Sequence, residues 1–237
     1  MKDQYFGDFG DYQKISLLKT LRNIGGFKIV VHWMKAKDDG SSDGKYIGYL
    51  SDSTRWLQYD PEVFSFIKSK IDSGSKRSVI HIEQSPLMKR IKFISDYIYD
   101  DKDRSEMHQG IIKDKSCDLV FFDPDNGIEV KSITRKTKYK YLLWEEIMET
   151  YKAGKNLLVY QHFGRQNREA FISQKTKEIA KATKAIVYSI QVKHSVYFLI
   201  LHKQYLSNAE KVLRVYSNHW QALAHIRKMC MHISSSA

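Results

Sequence analysis

The chain has 237 residues, of which 42% are hydrophobic and 13% aromatic, a composition that excludes a disordered protein and allows a full core. No apolar run reaches the roughly 20 residues that cross a bilayer, and the opening residues lack the apolar segment of a secretory signal, so we expect a cytoplasmic protein without membrane contact. The net charge of +12 indicates a polyanionic partner such as RNA or DNA.

Strand-like apolar runs alternate with helical spacings along the chain. In chain order the patterns predict a helix ending at 25–26, a strand over 27–33, a helix from 60, a strand over 78–83, a helix over 86–99, a strand over 118–122, a helix after 143, a strand over 156–161, a helix over 166–183, strands over 185–190 and 196–201, and a helix from 207 to about 229. Strands that alternate with helices indicate right-handed crossovers and a mostly parallel sheet, and the last two strands favour an antiparallel C-terminal edge. We therefore expect a single α/β domain over residues 1–237, a Rossmann-like three-layer sandwich.

Polar residues follow four of the predicted strands. Ligands of such sheets bind beyond the carboxyl ends of the strands, so the four clusters are predicted to meet at one edge of the sheet. They are the loop 37–45, Glu83, the turn 123–127 and residues 161–165.

The turn after the third predicted strand supplies most of the candidate catalytic residues. Asp123 follows an apolar run, so its carboxylate is expected at the lip of a buried strand, and Pro124 restricts it to extended geometry. Asp125 and Asn126, which precede a glycine, favour a tight turn. His162, just beyond the fourth strand, is a candidate base or substrate contact.

Two strand ends supply candidate cofactor contacts. Glu83 stands where Rossmann folds place the acid that binds ribose hydroxyls. The loop that contains Asp39, Gly40 and Gly44 has a loose glycine pattern and could present backbone N–H groups to a ligand.

Basic residues near these loops are the candidate nucleic-acid contacts, because lysine and arginine bind phosphates. They are Lys131, Arg135, Lys136, Lys138, Arg165 and Arg168. The two cysteines, Cys117 and Cys230, have no partner at metal-ligand spacing, so we expect no zinc site.

The segment 118–127, Asp-Leu-Val-Phe-Phe-Asp-Pro-Asp-Asn-Gly, resembles motif IV of class I S-adenosylmethionine-dependent methyltransferases. The stretch 6–18, Phe-Gly-Asp-Phe-Gly-Asp-Tyr-Gln-Lys-Ile-Ser-Leu-Leu, is similar to the opening of bacterial 23S ribosomal RNA adenine-N6 methyltransferases, which reads Gly-Asn-x-Ala-Asp-x-x-Lys-His. A Glu-Val-Lys stretch at 129–131, the helix at Trp144 and the strand at 157–160 follow in the family's order. The resemblance covers about residues 1–20 and 115–175.

The resemblance implies S-adenosylmethionine as the cofactor and an amine of a nucleic-acid base as the methyl acceptor. Asp123 would accept a hydrogen bond from the target amine, and Pro124 would hold the loop. The methyl group would pass directly from the sulfonium to nitrogen, with most of the rate supplied by proximity and orientation.

The chain departs from the family's motif at two positions. Asp125 replaces a second proline, and Asn126 replaces the aromatic residue that stacks on the flipped base. Tyr160 or Phe163 would have to supply that ring, and the cofactor loop lacks a clean Gly-x-Gly pattern.

Two other interpretations stay open. Asp123, Asp125, Glu129 and Lys131 contain the letters of a metal-dependent nuclease site, in which the carboxylates would hold Mg²⁺. A non-catalytic nucleic-acid-binding Rossmann domain would also suit the basic charge.

Overall fold

Capping residues start several helices of this protein, whose computed structural model describes residues 1–35, 44, 46–164 and 166–229. Asp8, Asp60 and Asp100 each precede a helix and accept hydrogen bonds from backbone N–H groups of its first turn. The helices are α1 (Phe9–Asn23), α2 (Ser53–Trp56), α3 (Pro61–Asp72), α4 (Ile80–Glu83), α5 (Asp101–Lys113), α6 (Trp144–Lys152), α7 (Arg168–Thr183) and α8 (Leu206–Trp220).

Apolar runs form the central strands. The strands are β1 (Ile29–His32), β2 (Lys92–Ile94), β3 (Leu119–Phe122), β4 (Gly127–Ile128), β5 (Tyr141–Leu142), β6 (Asn156–His162), β7 (Ile186–Gln191), β8 (Ser195–Leu201) and β9 (His225–Met229). Every residue of β1, β3 and β8 is buried, as expected for strands that helices cover on both faces.

Within the described part of the chain, seven strands form one sheet in the order β2-β1-β3-β6-β8-β7-β9. β1 pairs in parallel with β2 and β3, and β3 pairs in parallel with β6. β8 runs antiparallel to both β6 and β7, and β9 runs antiparallel to β7. The expectation of a mostly parallel α/β sheet with an antiparallel C-terminal edge is confirmed.

Two apolar layers cover the sheet. Alternate residues of β3 face opposite layers: Leu119 and Phe121 pack with α1, α3 and α8, whereas Val120 and Phe122 pack with α5, α6 and α7. This gives the expected three-layer Rossmann-like arrangement. No helix of the described residues is both long enough and apolar enough to cross a membrane.

The strand predicted over residues 78–83 is wrong. Ile80–Glu83 form the short helix α4, whose start is held by the Asp3 carboxylate, 2.9 Å from the backbone nitrogen of Val79 and 3.0 Å from Oγ of Ser78. Because this contact comes from a segment far away in the sequence, the local apolar alternation gives no sign of it.

Two predicted helices are also corrected. Within 86–99, Pro86–Met88 form a single 3-10 turn, and Lys92–Ile94 form the edge strand β2. The last helix ends at Trp220 instead of about 229, and the chain returns as β9 beside β7. In both segments pairing with a neighbouring strand outweighs the local helical pattern.

Candidate active site at the carboxyl edge of the sheet

The order in which strands are added to the sheet reverses between β1 and β3. β2 lies on the far side of β1 and β6 on the far side of β3, so the carboxyl ends of β1 and β3 border the crevice in which α/β sheets bind ligands. Asp123 directly follows β3, and its backbone nitrogen donates to the carbonyl of His32 at 3.0 Å. Its side chain is 2% exposed, so the carboxylate lies at the base of this crevice.

Helix α1 supplies the cation that pairs with Asp123. Nζ of Lys14 lies 2.8 Å from Oδ2 of Asp123 and 3.1 Å from Oδ1 of Asp11, and all three side chains are buried. Burial alone would lower the pKa of the Lys14 ammonium, but the carboxylates of Asp123 and Asp11 raise it well above its usual value. The group is therefore a charged cluster with little water, in which electrostatic interactions are strong.

The amine of Met1 joins the ends of β1 and β3. It donates to the carbonyls of Trp33 at 3.1 Å, Met34 at 3.3 Å and Asp123 at 3.0 Å. Burial lowers the pKa of this amine, and the nearby carboxylate of Asp123 acts in the opposite direction. The N-terminal segment thus forms part of the wall beside Asp123.

Asp125 is held from three sides. Its carboxylate accepts a hydrogen bond from the Tyr5 hydroxyl at 3.3 Å and lies 3.7 Å from Nζ of Lys2 and 3.8 Å from Nζ of Lys140. The side chain of Asp125 is 5% exposed. These contacts tie the turn after β3 to the N-terminal segment and to the residue preceding β5.

The turn after β3 is also locked to β6. Oε1 of Gln161 accepts from the backbone nitrogen of Ile128 at 2.7 Å, and Nε2 donates to the carbonyl of His162 at 2.9 Å. Gly127 has φ of +92°, and a Cβ on it would lie 2.3 Å from Nε2 of Gln161. Only glycine leaves room for this contact.

A cavity of about 410 Å³ opens over Asp123, within the size range of small-molecule sites. Its walls are formed by Met1, Lys2, Tyr5, Asp8, Gly10, Asp11, Lys14, Gly44, Asp123, Pro124, Asp125, Asn126, Lys140, Tyr160 and His162. Burial raises the pKa of the Asp8 carboxyl to about 7, with a further contribution from the Asp11 carboxylate. Asp8 is therefore a group of this wall that exchanges a proton near neutral pH.

Known proteins resemble this chain distantly, in structure and not in sequence. No protein-family model matches the sequence, and no curated protein matches it. A Legionella pneumophila protein of the family model DUF519 is 11% identical, with 94% of this chain and 97% of that one covered and a TM-score of 0.47. Human methyltransferase-like protein 13, solved in complex with SAH, is 13% identical, with 85% and 89% covered and a TM-score of 0.29.

The structure brings the sequence-predicted catalytic residues together. Asp123, Pro124, Asp125, Asn126 and His162 all line the cavity. Asn126 and His162 are exposed at its rim, whereas Asp123 lies at the base.

Of the two rings proposed for stacking, one faces the cavity. Tyr160 lines it, with Nζ of Lys14 5.4 Å from its ring centre. Phe163 is buried on the other side of the sheet and packs against Phe171. Tyr5, a second aromatic residue of the wall, was not anticipated.

The premise for Glu83 as a ribose-binding acid is wrong, because Glu83 ends helix α4 and follows no strand. Its Oε1 accepts hydrogen bonds from Nε1 of Trp33 at 3.0 Å and from Oγ of Ser95 at 2.5 Å, so it braces β1 against β2. The acid that does follow β2 is Asp96, which is exposed and takes the strand-end position that Glu83 was expected to hold.

The structure describes one of the remaining residues of the predicted cofactor loop. Gly44 lines the cavity, whereas Asp39, Gly40 and Arg165 lie outside the described residues.

The predicted nucleic-acid contacts divide between two segments. Lys131, Arg135, Lys136 and Lys138 lie on the connection between β4 and β5, where Nζ of Lys138 pairs with Asp101 at 2.9 Å. Arg168 begins α7.

The carboxylates of the nuclease interpretation do not converge. Oε2 of Glu129 accepts from the backbone nitrogen of Trp144 at 2.8 Å, so it caps α6. Asp123 and Asp125 are each paired with lysines. Over residues 1–35, 44, 46–164 and 166–229, no three His, Cys, Asp or Glu side chains are placed to hold a metal ion.

The cations of the site were not among the predicted residues. Lys14 and Asp11 are three residues apart on α1, and Lys2 and Lys140 come from distant segments. The available signal was the opening stretch 6–18, where Asp11 and Lys14 interrupt an otherwise apolar helix face.

Proposed function

We propose that this protein transfers a methyl group from S-adenosylmethionine to an exocyclic amine of a nucleic-acid base. The observation that carries the proposal is the buried Asp123–Lys14 pair at the carboxyl end of β3, at the base of the cavity. A carboxylate in this position accepts a hydrogen bond from the target amine. That bond fixes the direction in which the lone pair of the amine nitrogen points.

The wall of the cavity suits the charges of the cofactor. S-adenosylmethionine has an ammonium, a carboxylate and a sulfonium, and when bound it supplies the methyl group at the sulfonium. The Asp11 carboxylate would hold a cationic group, and Lys2 and Lys140 would hold the carboxylate.

Residues of the chain also serve the acceptor. A base must leave its stack to reach a carboxylate that is 2% exposed, and the ring of Tyr160 or Tyr5 in the wall gives it a surface for stacking. The methylated amine then loses a proton. Asp8, with its raised pKa and its place in the same wall, is the acceptor we assign to that proton.

Calorimetric titration with S-adenosylmethionine and S-adenosylhomocysteine tests the cofactor. We expect micromolar binding of both by the wild type, at least tenfold weaker binding by Lys2→Met, and unchanged binding by Lys68→Met, which removes an exposed lysine of α3. Absence of heat with either compound, in protein whose thermal unfolding shows it to be folded, contradicts the proposal. Binding of an oligonucleotide without either compound would favour the non-catalytic interpretation.

A further inference from the structure

An exposed basic and aromatic surface flanks the cavity on the side of β6 and β8. It consists of Tyr46, His162, Arg168, Lys193 and His194, and we call it the aromatic–basic rim. Lys193 and His194 form the turn between β7 and β8, and Arg168 begins α7, so they all lie at the carboxyl edge of the sheet with Asp123.

Tyr46 is fixed in place although it is 49% exposed. Its carbonyl accepts from the backbone nitrogen of Phe9 at 3.2 Å, and the two rings meet edge to face at 6.0 Å. Nζ of Lys193 lies 5.0 Å from the centre of the Tyr46 ring, and the His194 ring lies 6.3 Å from it. An exposed ring held in this way is a preformed stacking surface.

Arg168 is held beside this group. Its Nη1 donates to the carbonyl of Lys193 at 3.0 Å, and its guanidinium lies 5.0 Å from the centre of the Phe163 ring. The rim therefore contains two exposed cations: Lys193 lies beside the exposed ring of Tyr46, and Arg168 lies beside the buried ring of Phe163.

The charges of these two cations are not neutralised by carboxylates of the described residues. Lys2, Lys14 and Lys140 around the cavity all pair with aspartates, but neither Arg168 nor Lys193 makes an ion pair within that part of the chain. Glu169, next to Arg168 on α7, pairs with Arg227. Unpaired cations interleaved with rings are typical of surfaces that bind single-stranded nucleic acid.

We propose that the aromatic–basic rim binds the backbone of a single-stranded nucleic acid next to the nucleotide whose base enters the cavity. Arg168 and Lys193 bind phosphates, and Tyr46 stacks on a neighbouring base. The inference rests on the proposed function for the fate of the inserted base. A single strand is favoured because stacking on Tyr46 needs a base that is not enclosed in a duplex.

Fluorescence anisotropy with a labelled single-stranded RNA of mixed sequence tests the rim. We expect Arg168→Gln/Lys193→Gln to weaken binding at least about tenfold and to reduce the slope of log affinity against log salt by about 1.4, since each phosphate contact contributes about 0.7 for single strands. Tyr46→Ala should weaken binding about fivefold or more, whereas Tyr46→Phe should keep most of it.

The matched control is Lys181→Gln/Lys211→Gln, which removes the same charge from the far end of α7 and from α8. It should change binding less than twofold. Equal loss in both double variants, equal affinity for a duplex of the same sequence, or equal affinity for polyglutamate would overturn the inference. So would a lack of RNA binding by the wild type at low salt.

The outcome is separable from that of the proposed function. Loss of RNA binding in the rim variants, with no S-adenosylmethionine bound by the wild type, leaves the rim supported and the methyl-transfer proposal contradicted. Methyl transfer to RNA that persists with unchanged affinity in the rim variants contradicts the rim alone.

Discussion

At the scale of single residues, the Asp123–Lys14 pair is the feature that sets this site apart from a structural turn. A turn needs no buried ion pair, and removing one partner of such a pair costs about 3–5 kcal/mol because the other charge is left uncompensated. A pair that lies at the base of an open cavity is placed to use its charge on a ligand.

Asp8 gives a pH-dependent stability that is measurable without knowing the substrate. Its pKa is raised to about 7 by burial and by the Asp11 carboxylate, against about 3.9 in the unfolded chain. Below about pH 4 the carboxyl is protonated in both the folded and the unfolded protein, so its burial costs nothing. As the pH rises through 7 the folded protein has to bury the charged form, and the free energy of unfolding falls. We expect Asp8→Asn, which keeps the helix cap, to gain stability relative to wild type between pH 4 and pH 7, by up to about 2 kcal/mol since Asp8 is only part-buried.

Urea unfolding of both proteins at several pH values measures this difference. Above about pH 8, where the Asp8 carboxyl is ionised in both the folded and the unfolded state, the gap should be constant. A gap that stays constant from pH 4 to pH 8 would show that Asp8 has an ordinary pKa and would remove it as proton acceptor.

At the scale of elements, Gly127 and Gln161 join β6 to the turn after β3. Gly127→Ala introduces a Cβ that clashes with the Gln161 amide, which then loses its bond to Ile128. We expect a loss of about 2–5 kcal/mol from the positive φ and the unsatisfied buried groups together.

Gly74→Ala is the matched control, because Gly74 also has a positive φ, +70°, but nothing lies within 4 Å of the added Cβ. Gly74→Ala should lower the free energy of unfolding only by the cost of a positive φ in a non-glycine residue, about 1–2 kcal/mol. Denaturant unfolding compares the two variants, and equal losses would mean that the contact with Gln161 does not hold the turn.

Several elements were predictable from local signals, and others were not. The apolar runs of β3, β6 and β8 and the Asp60-Pro61 start of α3 are strong local signals. β2 is a three-residue edge strand that exists because β1 supplies its partners. α5 was missed although Asp100 caps it, since the segment has few apolar residues to mark a face.

At the scale of the whole molecule, the site is a consequence of strand order. The carboxyl-edge rule brings the ends of β3 and β6 together, so Asp123, Asp125, Asn126 and His162 could be grouped from sequence alone. The contributions of the N-terminal segment and α1 could not, because no periodicity shows that Lys14 reaches across to β3. The sequence gives the net charge of the chain. Which lysines and arginines pair with carboxylates is seen only in the three-dimensional contacts.

Methyl transfer is tested by incubating the protein with labelled S-adenosylmethionine and pools of random single-stranded RNA and DNA, followed by nucleoside analysis. We expect label on an exocyclic amine with the wild type and a loss on the order of 100-fold or more with Asp123→Asn. Asp118→Asn, at the opposite end of the strand and near Lys28, should keep its activity. Undiminished transfer by Asp123→Asn, or no transfer to either pool by wild-type protein that binds the cofactor, would contradict the proposed function.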